Sequence, residues 1–176
     1  YLLLTGKMVA TADEKMNNET VKKLWNSFNL TMGDISFEKG ETYTFQLGNT
    51  PLPTLSAGKE YALKVDKHGA AIVGKDYSGL MRGFFSLIMK IEHEREMPII
   101  KAVTEESEYT INNRMIHICV FPENDLYFIK KLIRLSALCQ YTHIVIEFWG
   151  MLKYDCLKEL AWPHAFTKAQ AKELIK

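Results

Sequence analysis

Apolar residues recur at a helical period in some stretches of this chain and alternate with polar ones in others, and that difference predicts its elements. Asn17 or Asn18 can cap a helix through Glu19-Thr-Val-Lys-Lys-Leu-Trp-Asn-Ser-Phe, with Val21, Leu24, Trp25 and Phe28 on one face. Gly40-Glu-Thr-Tyr-Thr-Phe-Gln-Leu-Gly48 alternates and is rich in aromatic and β-branched residues, which predicts a strand. A loop follows around Pro51 and Pro53. Tyr61-Ala-Leu-Lys-Val-Asp, the turn residues Lys67-His68-Gly69 and the returning Ala70-Ala-Ile-Val-Gly predict a β-hairpin. Asp76 then opens a helix over about 77–92, with Leu80, Phe84, Leu87, Ile88 and Ile91 as its apolar stripe. Gly79 and Gly83 each cost that helix up to about 1 kcal/mol of propensity, so tight packing against a sheet is expected of them.

The polar stretch Thr104-Glu-Glu-Ser-Glu marks the expected domain boundary, dividing the chain into residues 1–108 and 109–176. Beyond it the rhythm changes. Arg114-Met-Ile-His-Ile-Cys-Val-Phe is a continuous apolar run of the kind buried on both faces of a parallel sheet. A helix is predicted from about 126 to 140, with Phe128, Ile129, Leu132, Ile133, Leu135, Ser136 and Cys139 on a broad face. His143-Ile-Val-Ile-Glu-Phe-Trp reads as a second buried strand, a long loop follows, and Thr167 caps another helix. Strand, helix, strand, helix is the order of parallel βαβ units. Two strands complete no sheet, so this part reads as the opening of a larger α/β domain. The start at Tyr1 without Met, and the stop at Lys176 inside an amphipathic pattern, carry the same expectation of a piece of a longer protein.

Composition narrows the function classes. Of 176 residues, 47% are hydrophobic and 24% charged, which excludes a disordered or collagen-like chain. Lys and Arg number 22 against 21 Asp and Glu, a net charge of +1, and the charges are scattered. No field attracts nucleic acid or an anionic membrane surface, and no apolar run approaches the roughly 18 residues of a membrane span. Cys119, Cys139 and Cys156 lack paired ligand spacing and are expected to be buried thiols. No metal-ligand spacing and no phosphate-binding glycine motif occurs, so no cofactor is expected.

The hairpin and the Gly79-x-x-x-Gly83 helix, followed by Arg114 ahead of an apolar strand, Ile129-Lys-Lys-Leu-Ile, a strand at Ile144 and Phe166-Thr-Lys-Ala-Gln-Ala-Lys-Glu-Leu-Ile, resemble family 20 glycoside hydrolases, the β-N-acetylhexosaminidases. The resemblance runs from about residue 60 to 176 and rests on the order of the motifs. It implies an α+β N-terminal domain, a sheet with packed helices, over 1–108. Over 109–176 it implies the truncated βαβα start of a (β/α)8 TIM barrel. It further implies a carbohydrate substrate, a secreted or periplasmic host, and substrate-assisted hydrolysis of terminal sugars in the full-length protein. The family's catalytic Asp-Glu pair follows the fourth barrel strand, so this chain alone is expected to be inactive. A homo-oligomer covering its exposed barrel strands is one further expectation. The sequence also departs from the family pattern. Met115 stands in place of a glycine, His117-Ile-Cys in place of a Leu-Asp segment, and Val145-Ile-Glu-Phe-Trp-Gly in place of a His-rich signature. Two rival readings therefore stay open: a non-catalytic carbohydrate-binding protein on the same scaffold, and another barrel glycosidase of the α-glucuronidase type.

In a parallel barrel, functional residues gather at the C-terminal ends of strands. That selects Phe121, Glu123 and Asp125 after the first strand, with capping as the alternative for Asn124 and Asp125. After the second strand it selects Glu147, for a sugar hydroxyl, an ion pair or a solvated loop, together with Phe148 and Trp149. Trp149, Tyr154 and Trp162 either stack on pyranose rings or pack the loop. By position Arg114 is structural; by resemblance it contacts sugar hydroxyls. His117 and His143 are expected to be core histidines, and substrate binding is expected of Arg114, Glu147 and Trp149.

Overall fold

A computed structural model describes residues 1–4, 7–27, 35–95, 97–107 and 109–175. The chain forms two compact units, Tyr1–Tyr109 and Thr110–Lys176. Phe28 lies outside the described residues.

In the first unit the strands are β1 (Leu2–Leu3), β2 (Met8–Ala12), β3 (Ile35–Lys39), β4 (Thr44–Gly48), β5 (Tyr61–Asp66), β6 (Gly69–Gly74), β7 (Ile91–Glu94), β8 (Met97–Ile100) and β9 (Val103–Glu106). The helices are α1 (Glu19–Ser27) and α2 (Tyr77–Met89). Among the described residues, one sheet runs β3-β2-β4-β6-β5-β9, with β2 and β3 parallel and every other pairing antiparallel. A second, antiparallel sheet runs β1-β8-β7.

The expected strand at 40–48 begins only at Thr44. Tyr43 turns the chain with φ 59°, and its N–H donates to the buried Asp13 carboxylate at 2.8 Å. The same carboxylate accepts from Lys15 N–H at 2.9 Å, starting a 3-10 turn over Glu14–Met16. Asn18 caps α1, accepting from Val21 N–H at 2.9 Å. Asp76 caps α2 through Gly79 N–H at 2.7 Å. That helix stops at Met89 rather than near Glu92, because Ile91 and Glu92 pair with Ile100 and Ile99 across β7 and β8. The polar boundary stretch is also a strand in part. Val103–Glu106 hydrogen-bonds along β5 as the outer strand of the six, where charged side chains blunt a sheet edge.

The core of this unit lies between α1, α2 and the large sheet. Trp25 stacks on Phe84 with centroids 6.0 Å apart, and Phe84 meets Phe45 edge-on at 5.3 Å. Both glycines of α2 sit where the helix meets β5 and β6. A Cβ at Gly79 would fall 2.1 Å from the Glu60 carbonyl oxygen, and one at Gly83 would fall 2.6 Å from Ile72 Cγ2. Arg82, a turn along, pairs with Glu60 at 2.6 Å, both side chains largely buried.

The second unit contains β10 (Met115–Cys119), α3 (Leu126–Leu138), β11 (His143–Glu147) and α4 (Lys168–Lys172). The two strands are parallel, Met115 opposite His143 and Cys119 opposite Glu147, with α3 as their crossover. Even-numbered residues of the strands face the helix. Ile118 and Val120 pack with Ile129, Met151 and Phe166, joined by Ile144, Ile146 and Leu132. Odd-numbered residues face away, so the strands are not buried on both faces as their apolar run suggested. Met115 is 57% exposed and Val145 43%. The face expected of α3 is likewise uncovered in part, at Phe128 and Leu135. Thr167 caps α4 with a reciprocal capping box to Gln170. Among the described residues no helix is long and apolar enough to cross a membrane.

Candidate functional site

The C-terminal ends of β10 and β11 carry the densest chemistry in the second unit. Along a strand, residues two apart share a face. His117 and Cys119 therefore project together from β10, and the parallel register sets Glu147 of β11 beside Cys119. His117 Nε2 stands 2.9 Å from Glu147 Oε2, Cys119 Sγ stands 3.5 Å from that same oxygen, and Sγ and Nε2 are 3.8 Å apart. The other carboxylate oxygen, Oε1, accepts no hydrogen bond among the described residues. The His117 and Glu147 side chains are 52% and 43% exposed, so solvent reaches the group.

This corrects two expectations. His117 is not a core histidine, and neither is His143, which is exposed and sits 2.8 Å from Thr142 Oγ1. The cysteines are not buried thiols either: Cys119 is half-buried on the open face, and Cys139 and Cys156 are exposed. Cys139 ends up exposed because it terminates α3 instead of continuing its apolar face.

The three predicted binding residues are not brought to one place. Glu147 and Trp149 lie together at the end of β11. Arg114 precedes β10 at the opposite end, five strand residues away from Cys119, or about 16 Å. Its guanidinium donates to the carbonyls of Ile111 at 2.6 Å and Gln140 at 2.8 Å, and its N–H donates to Thr142 Oγ1 at 2.9 Å. Those bonds tie the entry of β10 to the entry of β11. After β10, Asp125 accepts from Phe128 N–H at 2.6 Å and caps α3, whereas Asn124 accepts from Phe121 N–H at 2.9 Å and closes the turn ahead of that helix; Glu123 is exposed.

The aromatic residues divide. Trp149 adopts φ 47° in the turn after β11 and is 58% exposed. Trp162 packs down instead: its backbone N–H donates to the Gly150 carbonyl at 2.8 Å, and its ring lies so close that a Cβ on Gly150 would fall 2.4 Å from it. Its outer face helps line a hollow of about 550 Å³ with Tyr154, Lys153, Asp155 and Lys158. The long loop holding this hollow is pinned by a parallel bridge between Leu152 and Phe166 and by an ion pair between Lys168 and Asp155.

The first unit has a larger groove, about 890 Å³, lined by Tyr61, Ser86, Glu105, Glu106 and Tyr109 among others. Its polar groups serve structure. Ser86 donates to Glu105 at 2.6 Å, Glu105 pairs with Lys90 at 2.9 Å, and Glu106 accepts from Ser56 N–H at 2.7 Å. Burial pushes the Tyr61 hydroxyl well above its ordinary pKa, so it keeps its proton.

The trio leaves no trace in linear spacing, since Glu147 lies 28 residues beyond Cys119. The one legible signal is the i, i+2 pair His117 and Cys119 within a strand.

No protein-family model matches this sequence, and no curated protein matches it either. Solved structures do match in fold. A family 20 exo-β-N-acetylglucosaminidase from Vibrio harveyi aligns over 99% of this chain and 31% of its own, at TM-score 0.65 and 15% identity. A family 20 β-N-acetylhexosaminidase from Streptomyces coelicolor A3(2) aligns over 99% and 42%, at TM-score 0.63 and 16% identity. A third, a family 20 β-N-acetylglucosaminidase, aligns over 70% and 29%, at TM-score 0.57 and 17% identity. The chain thus spans less than half the length of each, and what it shares with these family 20 glycoside hydrolases is a mixed α/β fold.

Proposed function

We propose that this chain is the N-terminal portion of a carbohydrate-active protein of the β-N-acetylhexosaminidase type, an α+β unit followed by the opening βαβα of a (β/α)8 barrel. The observation that carries the reading is the parallel β10–α3–β11 unit: in a barrel its uncovered face is the interior, and its C-terminal end is where substrates bind. Glu147 and Trp149 stand at that end. Glu147 keeps Oε1 available to a sugar hydroxyl, and Trp149 offers an exposed ring for the C–H face of a pyranose. Arg114, held by two backbone carbonyls, contributes by fixing the strand entries.

In the full-length protein the substrate's own acetamido group is the nucleophile, and an Asp-Glu pair beyond Lys176 supplies orientation and the general acid. The test is turnover of an aryl β-N-acetylglucosaminide by the full-length protein and by the 176-residue chain. Activity in the former and none in the latter is expected. Turnover by the chain alone would overturn the placement of the catalytic pair, and a full-length protein inert on every aryl glycoside would overturn the hydrolase assignment. A non-catalytic sugar-binding role on the same scaffold has one observation in its favour, the engagement of Glu147 Oε2 by His117 and Cys119.

A further inference from the structure

The structure assigns a zinc-type metal site to His117 Nε2, Cys119 Sγ and Glu147 Oε2. The inference stands apart from the carbohydrate reading, because it uses only the register of two strands and the chemistry of three side chains.

The donor set comes first. An imidazole nitrogen, a thiolate sulfur and a carboxylate oxygen are the ligands zinc takes, and the soft thiolate and borderline imidazole select against magnesium and calcium, which take oxygen ligands. Geometry follows. Tetrahedral zinc with ligands at about 2.0 Å (N, O) and 2.3 Å (S) holds its ligand atoms roughly 3.3–3.6 Å apart. The separations here are 2.9, 3.5 and 3.8 Å, each within about half an ångström of that triangle. An adjustment of this size, widening the 2.9 Å pair and closing the 3.8 Å one, lies within side-chain rotation. Both strands also hold their donors rigidly: His117 and Cys119 share a face of β10, and the ladder fixes Glu147 beside them.

Three protein ligands leave a fourth position, and the exposure of His117 and Glu147 opens it toward solvent. That is the arrangement of a zinc site that binds water or a ligand atom, as opposed to a closed structural site. On loading, the Cys119 thiol gives its proton to solvent and binds as thiolate, and His117 binds as the neutral imidazole.

The experiment titrates cobalt(II), the visible stand-in for zinc, into the reduced, metal-free 176-residue chain, followed by competition with zinc. One equivalent is expected to bind with a thiolate-to-cobalt charge-transfer band that zinc abolishes. Cys119→Ser is expected to remove the band and weaken binding at least about 100-fold, the upper end of what losing an outer-shell partner costs. Cys139→Ser and Cys156→Ser should leave both unchanged. His117→Gln and Glu147→Gln, on exposed side chains, report the same site should Cys119→Ser fail to fold. A wild-type chain without the band would overturn the assignment. So would a band that survives in Cys119→Ser, or affinity unchanged in both His117→Gln and Glu147→Gln.

Discussion

Replacing Gly79 by alanine adds one methyl group to the face of α2 that lies against the sheet. An ideal Cβ there falls 2.1 Å from the Glu60 carbonyl oxygen and 3.1 Å from its carbon. The obstacle is backbone, so no rotamer change relieves it. Restoring ordinary contact requires the start of α2 to lift by about 1 Å, which strains the Asp76 cap on Gly79 N–H and loosens fully buried Leu80 and Phe84. Overpacking of this kind costs about 1–3 kcal/mol, and the close backbone contact puts Gly79 at the upper end. Alanine returns up to about 1 kcal/mol of helix propensity. The expected net loss is about 2 kcal/mol, or a melting temperature roughly 10 °C lower for a unit of this size. The assay is thermal unfolding followed by circular dichroism, with Ser78→Ala as the control. Ser78 is exposed on the same turn and reports propensity alone. A Gly79→Ala protein that melts at or above the wild-type temperature would refute the argument that close approach is what requires this glycine.

Asp13→Ala leaves the N–H groups of Lys15 and Tyr43 without their carboxylate and is expected to cost about 2 kcal/mol, read by urea denaturation. Asp66 accepts from Thr50 Oγ1 at 2.6 Å and from His68 N–H at 2.7 Å, and these bonds hold its carboxyl below the usual range. A pKa depressed on folding gives stability that is present above the unfolded carboxylate value and lost as pH falls through the folded one. Asp66→Asn should therefore flatten the decline in melting temperature below about pH 4, and an unaltered decline would count against it. Trp149→Ala should leave the melting temperature within 1 °C or so, since the ring is exposed, yet weaken retention on a chitin-type affinity matrix. Trp162→Ala empties the space against Gly150 and is expected to cost about 2 kcal/mol, below the range for a fully buried tryptophan because part of the ring is exposed.

Helices were the legible part of this chain. Asn18, Asp76, Asp125 and Thr167 cap the helices they were expected to cap, and Val21, Trp25, Leu80, Phe84, Leu87, Ile88 and Ile129 are buried as their spacing predicts. The β5–β6 hairpin was equally visible, because two six-residue runs, the first of them alternating, flank the short turn at Lys67-His68-Gly69. All of these rest on interactions within a few residues, and short-range periodicity records them.

The strands β1, β2, β3, β7, β8 and β9 were not visible. They are two to five residues long, and what makes each a strand is a partner elsewhere, such as Ile35–Lys39 beside Met8–Ala12 or Val103–Glu106 beside β5. The same reason divides the candidate site. A carboxylate and a tryptophan at the end of a buried-looking strand could be picked out from Glu147 and Trp149 alone. That Arg114 spends its guanidinium on backbone carbonyls depends on packing, as does the gathering of His117, Cys119 and Glu147 within one ion's reach. By itself the sequence determined which segments are helices and which residues cap their starts, since those choices are local. Tertiary structure alone decided which strands pair, in what register, and therefore which distant side chains share a face, since a parallel ladder joins residues that the chain keeps 28 positions apart.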